Sequence, residues 1–239
     1  MISSLLGVYY KAKTDMKDFF LGPIDAMINH LMLPFLEFSY ANIIANYGLG
    51  IIFLTIIIKL ILYPLTKKQF LSMKAMQTLQ PEFKKLREKY KNDPQKMQME
   101  LMSLYKEKNV SPFSGCLPML VQLPILFALY FAVTGETFSS MVLAEHTNPG
   151  LTGFWLPDLT KPDSWYILPV IIGLSTYYTQ KMMPTSTDPA QQKVLMFMPV
   201  LMVVICWKMP AGVLLYWASS QLISAFQQYL ILHRGPEPS

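Results

Sequence analysis

The residue of this chain best placed to do chemistry is a lysine inside an otherwise apolar stretch. Lys59 lies in GLGIIFLTIIIKLILYPL, eight residues before Lys67, which is about 12 Å along a helix. A lysine near the centre of a bilayer costs about 2.5–3.5 kcal/mol, so it must face water or polar side chains. Two readings follow: a structural ammonium, buried or snorkelling to the interface, or a cation that attracts an anionic ligand. Thr55 and Tyr63 stand four residues to either side and share its face on a continuous helix. Other apolar stretches carry polar stripes too: Gln122 with Tyr130, Ser175 with Tyr178 and Thr179, and Ser220 with Ser224 and Gln227. One such stripe can serve interhelical hydrogen bonding alone; stripes on most helices around one cation predict a hydrophilic pocket. The outer half of the Lys59 stretch, Gly48–Leu54, is wholly apolar, so the pocket is expected to open toward the cytoplasm and to be sealed outside.

Other chemistries lack their residues. No GxSxG, P-loop, HExxH or paired intramembrane aspartate occurs, so no enzyme is expected. His30, His146 and His233 are far apart, and Cys116 and Cys206 form no CxxC. Neither a metal site, nor a disulfide framework, nor a cofactor is expected. The methionines of residues 67–110, Met73, Met76, Met97, Met99 and Met102, suit adaptable apolar surfaces or ordinary core filling.

The elements that must position Lys59 are membrane helices. Hydrophobic residues make up 52% of the chain and charged residues 15%, with mean hydropathy +0.31; a soluble domain carries about 25% charge. Five windows suit spans of roughly 17–25 residues: 48–65, 117–134, 165–183, 189–207 and 211–232. Only KMP separates the last two, which predicts a tight helical hairpin. Residues 67–108 hold eleven Lys/Arg against five acids, and residues 135–164 hold one lysine against four. By the positive-inside rule the first is cytoplasmic and the second external, which puts the N-terminus out and the C-terminus in. An exported N-terminus follows a signal or an earlier span, and MISSLLGVYYKAK has too short an apolar run for a signal. The chain is therefore expected to be part of a longer protein.

Four segments result: an external segment 1–47, a first core helix 48–66, a basic cytoplasmic hairpin 67–110, and four further core helices with loops and a short tail in 111–239. In the external segment, Ile24, Met27, Ile28 and Leu31 face away from Asp25 and Asn29, the pattern of an interfacial or bundle-capping helix. In the hairpin, Asp93-Pro94 reads as N-cap and first helical residue, and Asp188-Pro189 repeats that signature. Pro81 is expected to break the preceding helix. The stripes Phe83, Leu86, Tyr90 and Met97, Leu101, Leu104 are expected to face each other.

Five stretches, NYGLGIIFLTIIIKLILYPLTKKQ, LQPEFKKLREKY, GCLPMLVQLPILFALY, YYTQKMMPTSTDPAQQKVLMFMPV and PAGVLLYWASSQLISAFQQ, resemble in order the YidC/Oxa/Alb family of membrane protein insertases, most closely its bacterial YidC branch. The resemblance runs from about residue 34 to 234. It implies an all-α membrane fold: five transmembrane helices around a groove open to cytoplasm and lipid, a cytoplasmic helical hairpin and a peripheral amphipathic helix. It implies a groove for hydrophilic client segments lined by Lys59, Thr55, Gln122, Tyr130, Ser175, Tyr178, Ser220 and Trp217, and a hairpin working through Lys84, Lys85, Arg87 and Lys89. The implied partners are nascent membrane proteins, the Sec translocon, the ribosome and the lipid of a bacterial inner membrane, with no specific nucleic-acid site. The groove cation of the family is usually arginine; Lys59 keeps the charge but lacks the planar fork of donors. Many bacterial relatives also carry a first transmembrane helix, a large external domain and a basic C-terminal extension, none of which is among the five matching stretches. A transporter or channel with Lys59 as anion site needs a path to both faces and two related halves, neither of which is legible. A folding chaperone shares every feature named here.

Overall fold

The computed structural model describes residues 22–108, 110, 117–144, 156, 158–182 and 189–234. The opening residues 1–21, Cys116, His146, Asp188 and the tail 235–239 lie outside the described residues. Among the described residues the chain is all-helical, with one isolated bridge between Pro162 and Pro210. The helices are α1 (Gly22–Asn42), α2 (Tyr47–Ile61), α3 (Tyr63–Thr78), α4 (Gln80–Lys89), α5 (Pro94–Glu107), α6 (Leu117–Thr134), α7 (Glu136–Ala144), α8 (Ile167–Lys181), α9 (Pro189–Cys206) and α10 (Ala211–Arg234).

The hub is α10, which packs on α2, α3, α6 and α8. Its first half, Ala211–Tyr216, is buried without interruption and joins Ile51 and Leu54 of α2, Leu129 and Val133 of α6, and Leu168 and Ile172 of α8 in one core. α9 is held from elsewhere. Although only a short turn joins it to α10, the two share no extensive contact among the described residues; α8 lies against both. The expected α9–α10 hairpin is thus replaced by α9 docked on α8. Gly173 explains the choice, because a Cβ there would meet Val203 Cγ2 at 2.5 Å and the Pro199 carbonyl at 3.3 Å. Only glycine lets the two helices come this close.

The first core helix also differs from expectation. The window 48–65 is two helices: α2 stops at Ile61, and α3 starts at Tyr63 with Pro64 in its first turn. Proline lacks the N–H that a continuous helix would need there, yet suits a new helix start. Tyr63 therefore stands at the start of a second helix, not on the helix that carries Thr55 and Lys59. α2 itself begins with Asn46, whose side chain accepts from the Leu49 N–H at 2.9 Å. No single described helix is by itself long and apolar enough to cross a membrane; α1 and α2 meet that standard only together, bent by 120°.

α1 lies against α2 and α6 and carries a π-helical turn at Ile28–Met32. The wide turn shifts the helical phase, so Leu31 is 52% exposed while Met32 is fully buried. The expected stripe Ile24, Met27, Ile28, Leu31 is accordingly replaced after Ile28 by Met32, Leu36 and Ser39.

The hairpin forms where its capping signals stand. Leu79 separates α3 from α4, with Pro81 in the first turn of α4. Asp93 caps α5 by accepting from Lys96 N–H at 3.0 Å. Leu79, Phe83 and Leu104 form a small separate core with Leu86, Leu101 and Tyr105, and the Phe83 and Tyr105 rings are 5.2 Å apart. Lys84, Lys85 and Lys89 are exposed and Arg87 is half-buried. Lys89 and Lys96 flank the Tyr90 ring.

Replacing Gly173 with alanine is expected to destabilise the protein by about 1–3 kcal/mol through overpacking of α8 on α9. Denaturant unfolding in detergent micelles checks this, and Val203→Ala in the same chain should restore part of the loss.

Candidate functional site

Along α10, Tyr216, Ser220, Ser224 and Gln228 recur every four residues and so share one face. Each of the first three meets a polar group from another residue on that face or opposite it. The Gln122 amide of α6 donates to the Tyr216 hydroxyl, and its oxygen accepts from Ser220 Oγ at 3.3 Å. Lys59 Nζ of α2 donates to Ser224 Oγ at 2.8 Å. Beside this face, Gln221 donates to Thr176 Oγ1 of α8 at 3.4 Å. Lys59 is half-buried, Ser220 and Thr176 are buried, and Tyr216 is fully buried. The result is a polar seam through the apolar bundle, with one cation on it.

The residues expected around Lys59 fall into three groups. Lys59, Gln122 and Ser220 meet along the seam. Thr55 and Ser175 are buried, but their hydroxyls donate to the carbonyls of Ile51 and Ile171 on their own helices. Trp217 is half-buried against the main core, whereas Tyr130 and Tyr178 are exposed. Sequence reasoning missed Tyr216. Its signal was available: it stands four residues before Ser220 and extends the stripe of Ser220 and Ser224 by one turn.

The N-terminal end of α10 is covered by residues 158–166. The first N–H groups of a helix need outside acceptors, and here the Lys161 carbonyl accepts from Ala211 at 2.7 Å and the Leu159 carbonyl from Gly212 at 2.8 Å. The buried Asp163 carboxylate accepts from Trp165 N–H at 3.0 Å and Leu168 N–H at 2.8 Å, which starts α8. Tyr166 adopts the left-handed conformation at φ 56° and stacks on Trp207 with ring centres 4.3 Å apart. Burial pushes the Asp158 carboxyl up, but hydrogen bonds from Thr160 and Lys161 outweigh it and hold it below the usual carboxylate range. That contribution is present above the unfolded carboxyl's value and lost as pH falls through the lowered one. Among the described residues no group of His, Cys, Asp and Glu could hold a metal ion.

The sequence pattern of the 60Kd inner membrane protein family matches residues 39–237, which includes every helix of the seam. The chain belongs to that family. It is 47% identical over 197 residues to the membrane protein insertase YidC of Haemophilus influenzae (strain PittEE), covering 82% of this chain and 35% of that protein. It is 47% identical over 191 residues to the membrane protein insertase YidC of Actinobacillus pleuropneumoniae serotype 3 (strain JL03), covering 80% and 34%. The chain thus spans about a third of the length of these relatives. An active YidC insertase crystal structure with the first transmembrane domain resolved superposes with a TM-score of 0.67 at 32% identity, over 86% of this chain and 46% of that one.

Tyr216→Phe leaves the Gln122 amide donor without its partner in a half-buried site. It is expected to lower stability by about 1–3 kcal/mol, read as a fall in unfolding midpoint in detergent.

Proposed function

We propose that this chain is the inserting core of a membrane protein insertase of the bacterial inner membrane. It receives hydrophilic segments of nascent membrane proteins at the Lys59 seam and releases their apolar segments into lipid, alone or with the Sec translocon. The observation that carries this reading is the Lys59 ammonium held by Ser224 at 2.8 Å within an otherwise apolar bundle. The insertase name of the relatives points the same way.

In this reading the five core windows lie across the bilayer as α2 with the start of α3, α6, α8, α9 and α10, the N-terminus outside and the C-terminus inside. The exposed surface suits lipid: Leu60 and Ile61 on α2, Leu174 on α8, Val200 and Val204 on α9, and Phe226 on α10 are large, apolar and uncovered. The loop 158–166 closes the outer end, and the α4–α5 hairpin extends into the cytoplasm, with Lys84, Lys85, Arg87 and Lys89 facing clients and the ribosome.

The mechanism is electrostatic and solvational. A hydrophilic segment entering hydrocarbon loses its water without new partners, which costs several kcal/mol per polar group. Lys59, Gln122 and Ser220 replace some of those partners, with Tyr130, Tyr178, Thr55, Ser175 and Trp217 completing the walls. An acidic side chain about 4 Å from the ammonium gains about 4 kcal/mol where the effective dielectric is about 20. The client's apolar helix then partitions into lipid, at about 25 cal/mol per Å² of apolar surface removed from water.

Reconstituted in liposomes with a single-span client bearing a short acidic tail, Lys59→Ala is expected to insert at least about tenfold less, the loss of about 1.4 kcal/mol. Lys59→Arg should retain insertion, and a client with a neutral tail should respond weakly. Undiminished insertion of the acidic client by Lys59→Ala would sink the charge-attraction mechanism. Solute flux without insertion by the unmodified protein would replace the insertase with a transporter.

A further inference from the structure

The polar seam does not end at Ser224. One turn further stand Gln227 and Gln228, 9% and 1% exposed, four and three residues before Ile231, which packs on α3. The Gln227 Oε1 acceptor and the Gln228 Nε2 donor are both buried without a hydrogen-bond partner. Next to them Phe70 and Met73 of α3 close on Ile231 of α10 as a small apolar cluster. Gln69, the residue before Phe70, is buried on the same helix.

This is an odd way to build a permanent contact. Buried polar atoms are almost always paired, and an unpaired amide weakens the contact that buries it. Leucine at both positions would fill a similar volume without that penalty. The contact that Phe70, Met73 and Ile231 make across α3 and α10 is apolar. The far end of α3 is fixed differently: the Gln77 amide, two turns beyond Gln69, donates to the Met182 carbonyl just past α8. Phe70 and Met73 lie midway between that tie and Leu62, which joins α3 to α2, and apolar contact sets them against Ile231.

We infer that the α3–α10 seam at Phe70, Met73, Gln227, Gln228 and Ile231 is a second client site, whose ligand is an extended polypeptide backbone. The inference rests on the insertase reading and deepens it. An extended chain presents an N–H and a C=O on each residue, successive residues about 3.3 Å apart, and the two free amide atoms are one acceptor and one donor. Neither carries charge, so recognition is independent of the client's side chains. Ser224, which holds Lys59, is four residues from Gln228, about 6 Å along the axis. A backbone held at the seam is thereby handed to the cation one turn away. The two stations divide the work: the amides hold any sequence and the lysine favours acidic ones.

The test uses the full chain in liposomes with two single-span clients, one with an acidic and one with a neutral hydrophilic tail. Gln227→Leu with Gln228→Leu is expected to raise the unfolding midpoint while lowering insertion of both clients by about tenfold, the worth of one or two hydrogen bonds. A benzophenone amino acid in place of Phe70, in an otherwise unmodified chain, is expected to crosslink the hydrophilic tail of either client; this arm decides the matter if the double variant does not fold. Unchanged insertion by a folded double variant, loss confined to the acidic client, or no crosslink from position 70 would each overturn the seam and leave the insertase reading standing. Failure of the unmodified protein to insert either client would overturn both.

Discussion

A helix whose uncovered side is apolar sets its polar side chains against its neighbours. α10 is in that position, and its face of Tyr216, Ser220, Ser224 and Gln228 sets the arrangement of the bundle. Gln122 must stand where it reaches Tyr216 and Ser220, and Lys59 where it reaches Ser224. Each hydrogen bond contributes only about 0.5–1.5 kcal/mol, or about 1.5–3 kcal/mol when one partner is charged. The apolar core around Ala211–Tyr216 supplies the cohesion; the polar contacts select one register of α2 and α6 against α10.

Polar composition overstates how wet such a bundle is. Thr55, Ser175 and Thr176 all donate to the carbonyl four residues back on their own helices, a local bond open to any helical serine or threonine. Their stripes look hydrophilic in the sequence but leave little donor capacity for anything else. Lys59, Gln122 and Gln221 instead reach across to neighbouring helices, and Gln227 and Gln228 each keep an unpaired atom. The amide and lysine side chains whose polar groups cross between helices or stay unpaired, Lys59, Gln122, Gln221, Gln227 and Gln228, are a smaller set than the stripes imply.

The parts of the fold that were legible in the sequence rest on local signals. Asp93-Pro94 caps and starts α5 from within its own turn, and Phe83 and Leu104 face each other because helical spacing puts them on stripes. Lys59 stood out because its environment made it expensive. What was not legible depends on neighbours distant in the chain. Pro64 is compatible with a kink or with a new helix, and only the structure shows the stop at Ile61. Gly173 reads as a weak point until Val203 of α9 is set against it, and the short link between α9 and α10 then no longer implies a hairpin. Tyr216 is one of thirteen tyrosines until Gln122 is opposite it.

The π turn of α1 has a consequence for how its length can vary. A wide turn holds one residue more than an ordinary one, so removing a single residue from Ile28–Met32 would restore regular helix. Because the residue lost is the one the wide turn held in excess, everything before it keeps nearly the same phase relative to everything after. Ile24 and Met27, which pack on the main core, would stay on it together with Leu36 and Ser39. His30, in the middle of the turn, is exposed, so the helix can absorb its loss as well as its substitution.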